Sequence, residues 1–99
     1  MNMQNISLIG AGVIGETLIS AFTVAGVAPE SLAIVEKRAE RVDELIAKYG
    51  VRSAELVESV SAADLVLLVV KPQDMGALLR EISGKVNPAA IVVSLAAGI

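Results

Sequence analysis

The sequence contains no cysteine, no histidine and no tryptophan. Without cysteine there is no disulfide framework and no thiolate metal site, which points to a reducing, cytoplasmic setting. Without histidine the commonest metal ligand and the commonest general base are both missing. Aromatic residues make up 2% of the chain and the formal net charge is −3. Nucleic-acid binders want basic patches and stacking rings, so that class is disfavoured. No basic residue precedes Lys37, so the charged start of a signal peptide is absent. The densest apolar run, residues 65–70, is bounded by Asp64 and Lys71. It falls far short of the roughly 20 residues a membrane-spanning helix needs.

What is present is a chain of 99 residues, enough for one domain, with 55% hydrophobic residues. That fraction suits a parallel sheet covered on both faces, whose strands read as unbroken apolar runs. Residues 5–9 form such a run and end at Gly10, Gly12 and Gly15. From Val13 onward, Ile14, Leu18, Ile19, Phe22 and Val24 recur at helical spacing until Gly26 offers a stop. Residues 32–35 read as a second strand ending in Glu36. Residues 39–48 read as an amphipathic helix, with Val42, Leu45 and Ile46 inward and Glu40, Arg41, Asp43 and Glu44 outward. A brief strand near Val51 and a helical turn over 56–61 follow. Residues 65–70 make the clearest strand, Pro72 opens a helix running to about Ile82, and residues 91–95 form a last strand. Alternating strands and helices predict an α/β, doubly wound parallel-sheet Rossmann domain over residues 1–99, with strand order 3-2-1-4-5. On this pattern the chain is expected to stop after about the fifth strand.

Gly10-Ala11-Gly12-Val13-Ile14-Gly15 fits G-x-G-x-x-G directly after a strand and at the start of a helix. In that setting Gly10 allows the tight turn, Gly12 lets the backbone approach a pyrophosphate, and Gly15 lets the helix pack closely on the sheet. The pyrophosphate would lie against the helix N-terminus, where free N–H groups attract anions. Alone the pattern is weak, because a structural turn can look the same. Glu36 strengthens it, standing at the end of the second strand where an acid meets the adenosine ribose. An acid there favours NAD(H), by accepting from the 2′-hydroxyl. The adjacent Lys37 and Arg38 could instead hold a 2′-phosphate, or be a solvated charge run at a helix start. The balance leans narrowly to NADP(H), with NAD(H) as the alternative.

Two further segments turn a fold into a family. Val69-Val70-Lys71-Pro72 resembles the A-V-K-P loop that follows the fourth strand of pyrroline-5-carboxylate reductases. Ser94-Leu95-Ala96-Ala97-Gly98-Ile99 is similar to their S-x-A-A-G-[IV] segment after the fifth strand. With the opening Ile9-Gly10-Ala11-Gly12-Val13-Ile14-Gly15, three motifs agree in order and spacing along the chain.

The resemblance implies an NAD(P)H-dependent enzyme that reduces the small molecule 1-pyrroline-5-carboxylate to proline, homo-oligomeric at full length. It implies that Ile9, Gly10, Ala11, Gly12, Val13 and Ile14 wrap the pyrophosphate, with Lys37 beside the 2′ position. Val69, Val70, Lys71 and Pro72, with Leu95, Ala96 and Ala97, would line the nicotinamide ribose and ring, largely through backbone. One departure is visible: Leu56 stands where some members place an asparagine against the adenosine ribose. Lys71 as a catalytic acid is the less favoured reading, and Ser94 has a similar status. No catalytic residue is therefore assigned, and no metal. Family members hold substrate mainly in a C-terminal helical domain that also makes the dimer. That domain is expected to be absent here and the chain alone inactive. The rivals are a dehydrogenase of the 3-hydroxyacid or 6-phosphogluconate type, and a nucleotide-sensing domain that catalyses nothing.

Overall fold

Short runs of apolar residues set four of the five strands in a computed structural model that describes residues 5–95. The elements are β1 (Ile6–Ile9), α1 (Val13–Val24), a single 3-10 turn (Pro29–Ser31), β2 (Leu32–Val35), α2 (Ala39–Tyr49), β3 (Arg52–Ser53), α3 (Leu56–Ala62), β4 (Leu65–Leu68), α4 (Pro72–Ile82) and β5 (Ile91–Ser94). All five strands pair in parallel, in the order β3-β2-β1-β4-β5. This is the Rossmann order expected from the alternation of elements.

The central strands are buried along their whole length, as a parallel sheet with helices on both faces requires. Alternate side chains serve opposite faces. Ile6, Leu8, Leu65 and Leu67 join Ile19 of α1 and Leu45 of α2 in one core. Ile9, Val66 and Leu68 join Val60 of α3 and Leu78 and Ile82 of α4 in the other. Ser7 sits among them with its hydroxyl 2.6 Å from that of Ser59, so the two buried polar groups satisfy each other.

Register positions the site. Ile9 pairs with Val35 on one side and with Leu68 on the other, so β1, β2 and β4 end at one level. The chain leaves β1 for β2 on one flank, and β4 returns to the other. The crevice beyond these carboxyl ends is the topological switch point, where ligands of open α/β sheets bind.

Several details differ from the sequence reading, among them the last strand, which ends at Ser94 rather than Leu95. Strand β4 ends at Leu68 rather than Val70, although the Val69 amide still donates to the Ile9 carbonyl at 2.8 Å. The chain then turns into Lys71, whose extended backbone (φ −66°, ψ 149°) is the conformation a following proline favours. Strand β3 is Arg52–Ser53, one residue past Val51, which is itself buried. Ile46 was expected inward and is 38% exposed, because it lies about 100° round the helix from Leu45, the residue that meets the sheet. Arg41 was expected outward and is only 17% exposed, since its guanidinium bends towards α1. No helix among the described residues is long and apolar enough to cross a membrane. The last strand presents Ile91, Val92 and Val93 at 45%, 45% and 38% exposure, a sheet edge with both faces open among the described residues.

Candidate dinucleotide cleft

The loop after β1 is shaped by two close approaches and one open side. Gly10 has φ +94°, a left-handed conformation, and a Cβ there would lie 2.1 Å from the Val69 carbonyl oxygen. A Cβ on Gly15 would lie 2.5 Å from the Gly10 carbonyl oxygen, so the first turn of α1 can pack on the loop only without one. A Cβ on Gly12 would meet nothing within 4 Å, and Gly12 faces the cleft.

The amides of this segment divide into used and free. Gly10 donates to the Val35 carbonyl at 3.0 Å and Ala11 donates to Glu36 Oε1 at 2.9 Å. The amides of Gly12, Val13 and Ile14 have no acceptor among the described residues, and Gly12 as N-cap offers no side-chain oxygen. Free donors at the start of a 12-residue helix, beside a backbone with no side chain in the way, suit an anion. The residues present therefore fit a dinucleotide pyrophosphate.

Glu36 closes one side of the cleft. Its side chain is 9% exposed, and desolvation there pushes its carboxyl upward. That effect is outweighed by the Arg38 guanidinium (Nε to Oε2 3.0 Å), the Arg38 amide (3.1 Å) and the Ala11 amide, which together hold it down at about 2. Glu36 is thus ionised and turned towards the glycine loop. Arg38 is folded back on it with 55% of its side chain exposed. Lys37 is exposed on the same rim.

The cleft has a volume of about 960 Å³. It takes in Ile9, Gly10, Ala11, Gly12, Val13 and Ile14 from the loop, then Glu36, Lys37 and Arg38, then Val69, Val70 and Lys71. Of the other residues singled out from sequence, Gly15 lies behind the loop against Gly10, and Pro72 and Leu95 are not among the lining residues. Ala96 and Ala97 lie outside the described residues. Ser94 contacts Met75, its Oγ lying 3.6 Å from the sulfur. Sequence reasoning missed a wall made by Leu56, Ala77 and Leu78, with Glu55, Asp74 and Glu81 on its rim. Leu56, noted as the loss of a polar contact, forms part of that apolar wall.

It also missed Arg41, the first-turn residue of α2 that reaches across to the glycine loop. Arg41 Nε donates to the Ala11 carbonyl at 2.7 Å, and Nη2 to the Gly12 carbonyl at 3.2 Å and to Glu16 Oε1 at 2.8 Å. Its other terminal nitrogen pairs with Glu44. Glu16 in turn accepts from Lys48 Nζ (2.7 Å) and the Tyr49 hydroxyl (2.8 Å). Those two bonds, with that of Arg41, hold its carboxyl at about 2. The available signal was an acid and a base in the first turns of two helices that follow adjacent parallel strands.

The comparisons with known proteins agree with this fold. The family described as NADP oxidoreductase coenzyme F420-dependent matches residues 5–98. This chain belongs to that family. Among its relatives is a pyrroline-5-carboxylate reductase of Corynebacterium melassecola, 36% identical over 101 residues, covering 98% of this chain and 37% of the relative. The solved structure of a pyrroline-5-carboxylate reductase from Coxiella burnetii superposes with a TM-score of 0.88 at 25% identity, over 98% of this chain and 37% of that one. An imine reductase variant from Myxococcus stipitatus, solved in complex with NAD+, gives 0.78 at 27% identity, over 99% and 33%. The chain thus spans a little over a third of the length of these reductases. The likeness to pyrroline-5-carboxylate reductases that three short motifs carried extends along nearly the whole chain.

Proposed function

We propose that this chain is the cofactor-binding half of a pyrroline-5-carboxylate reductase, which reduces 1-pyrroline-5-carboxylate to proline in the cytoplasm as a homo-oligomer. The observation that carries this reading is the set of free amides at Gly12, Val13 and Ile14, opening into a cleft rimmed by Glu36, Lys37 and Arg38. A nicotinamide dinucleotide has a counterpart for each part. Its pyrophosphate suits the amides, its adenosine ribose suits the end of β2, and its adenine suits the apolar wall of Leu56, Ala77 and Leu78. The backbone of Val69, Val70 and Lys71 stands at the end of β4, where the nicotinamide half would extend towards Leu95. When bound, the reduced nicotinamide supplies the hydride for the carbon of the substrate's C=N bond. The described residues contribute position and water exclusion, and no acid of this chain is assigned to the reaction.

The cofactor is NADP(H) in this reading. Glu36 already spends its oxygens on the Ala11 amide and on Arg38, so it is turned away from a ribose hydroxyl. Arg38 keeps 55% of its side chain exposed in its ion pair with Glu36, and from there its guanidinium can turn to a 2′-phosphate. NAD(H) is the alternative if Glu36 exchanges Arg38 for the 2′-hydroxyl.

A chimera tests the whole reading. The part of the Corynebacterium melassecola relative that matches this chain is replaced by residues 1–99, and proline formation is assayed with NADPH. Turnover above that of an empty preparation is expected. A folded chimera that binds NADPH and forms no proline would contradict the substrate assignment.

A further inference from the structure

We propose that Arg41 is a positioning residue for the phosphate-binding loop, aiming the Gly12 and Val13 amides by holding the carbonyls on the other side of their peptide planes. The proposal rests on the cofactor reading above and adds a residue that none of the motifs contains.

In a trans peptide the C=O and the N–H point in opposite directions. The Ala11 carbonyl shares its plane with the Gly12 amide, and the Gly12 carbonyl shares its plane with the Val13 amide. Arg41 bonds both carbonyls, at 2.7 and 3.2 Å. One planar guanidinium therefore ties two consecutive peptide planes of the loop, sharing the second with the Glu16 amide, which donates to the Gly12 carbonyl at 2.9 Å. The two amides so aimed are among those without an acceptor among the described residues.

The guanidinium is itself held. Glu16 Oε1 accepts from it at 2.8 Å, Glu44 pairs with its other nitrogen, and Lys48 and Tyr49 hold the second oxygen of Glu16. Two carboxylates beside Arg41 offset its charge, so its contribution lies in direction more than in attraction for an anion. That separates it from Lys37, whose charge stands on the rim with no carboxylate bonded to it among the described residues. It also separates Arg41 from a simple strut between α1 and α2, because a strut would need only the bonds to Glu16 and Glu44.

The test uses the 99-residue chain and its Arg41→Ala and Arg41→Lys variants, with ADP-ribose as a pyrophosphate-bearing probe and adenosine as a probe without phosphates. Loss of the clamp is expected to weaken ADP-ribose about tenfold in Arg41→Ala, with adenosine within about twofold. Arg41→Lys keeps the charge but not the planar fork, and it should still lose about threefold or more for ADP-ribose. In the free Arg41→Ala chain the amide resonances of Gly12 and Val13 should broaden, while those of β1 and β4 stay in place. Unchanged ADP-ribose affinity in either variant would overturn the proposal, and so would an equal loss for adenosine, the sign of a general loosening. If Arg41→Ala does not fold, Arg41→Lys carries the same comparisons. If the unmodified chain binds no ADP-ribose, the cofactor reading fails by itself. The clamp is then judged on the amides alone: sharp, unshifted Gly12 and Val13 resonances overturn it, and broadened ones support it.

Discussion

The amide of Ala11 donates to Glu36 Oε1 at 2.9 Å, tying the turn after β1 to the end of β2 through a carboxylate that is 9% exposed. One bond thus joins the turn that opens the glycine loop to the acid that ends β2. It makes the geometry of the cleft dependent on the ionisation of Glu36.

That dependence has a sign. Glu36 and Glu16 each sit at about 2 in the folded chain against an ordinary 4.5. A depressed carboxyl adds stability that is present above its unfolded value and lost as pH falls through the folded one. Thermal unfolding should therefore be little changed from pH 7 to 5, with the melting temperature then falling between about pH 4.5 and 2. In the Glu16→Gln/Glu36→Gln double variant the melting temperature should be lower at pH 7 and fall less over that window. An acid fall as steep in the double variant as in the unmodified chain would place its origin elsewhere.

The three loop glycines should respond differently to the same added methyl group. Gly10→Ala combines a left-handed φ with a carbonyl 2.1 Å from the new atom, and should cost about 2 kcal/mol or more in urea unfolding. Gly15→Ala meets the Gly10 carbonyl and should cost a similar amount. Gly12→Ala meets nothing and should stay within about 0.5 kcal/mol of the unmodified chain. Equal effects at all three positions would show that the loop is not packed as described.

Cofactor choice is read from the β2 rim. Lys37→Ala/Arg38→Ala should weaken NADPH far more than NADH, each lost charge-assisted bond to the 2′-phosphate being worth about 1.5–3 kcal/mol. Glu36→Ala should weaken NADH more than the double variant does. Parallel titrations by calorimetry measure both, and equal losses for the two cofactors in the double variant would reduce Lys37 and Arg38 to surface charges.

Much of this was legible in the sequence because the deciding signals were contiguous. The glycine loop sits between a strand and a helix in six consecutive residues, and Asp64 and Lys71 bracket the apolar run of β4 so plainly that its place in the sheet follows. Its length did not follow, since Val69 and Val70 are as apolar as the strand but are already turning towards Pro72. The parts that stayed hidden come from contacts between elements. Arg41 carries the charge of a solvated helix face, and only the side-by-side start of α1 and α2 turns it inward to the loop carbonyls. Ala77 and Leu78 read as ordinary residues of an amphipathic helix, and only the register of β4 beside β1 brings α4 to the mouth of the cleft.

The most direct test of the account is a titration of NADPH into the folded Gly12→Val variant. The new side chain would leave the fold intact, because the space beside Gly12 is open, and would fill the place where a pyrophosphate meets the Gly12 and Val13 amides. The account predicts a melting temperature close to that of the unmodified chain, together with loss of detectable NADPH binding. A folded Gly12→Val variant that binds NADPH as tightly as the unmodified chain would contradict it.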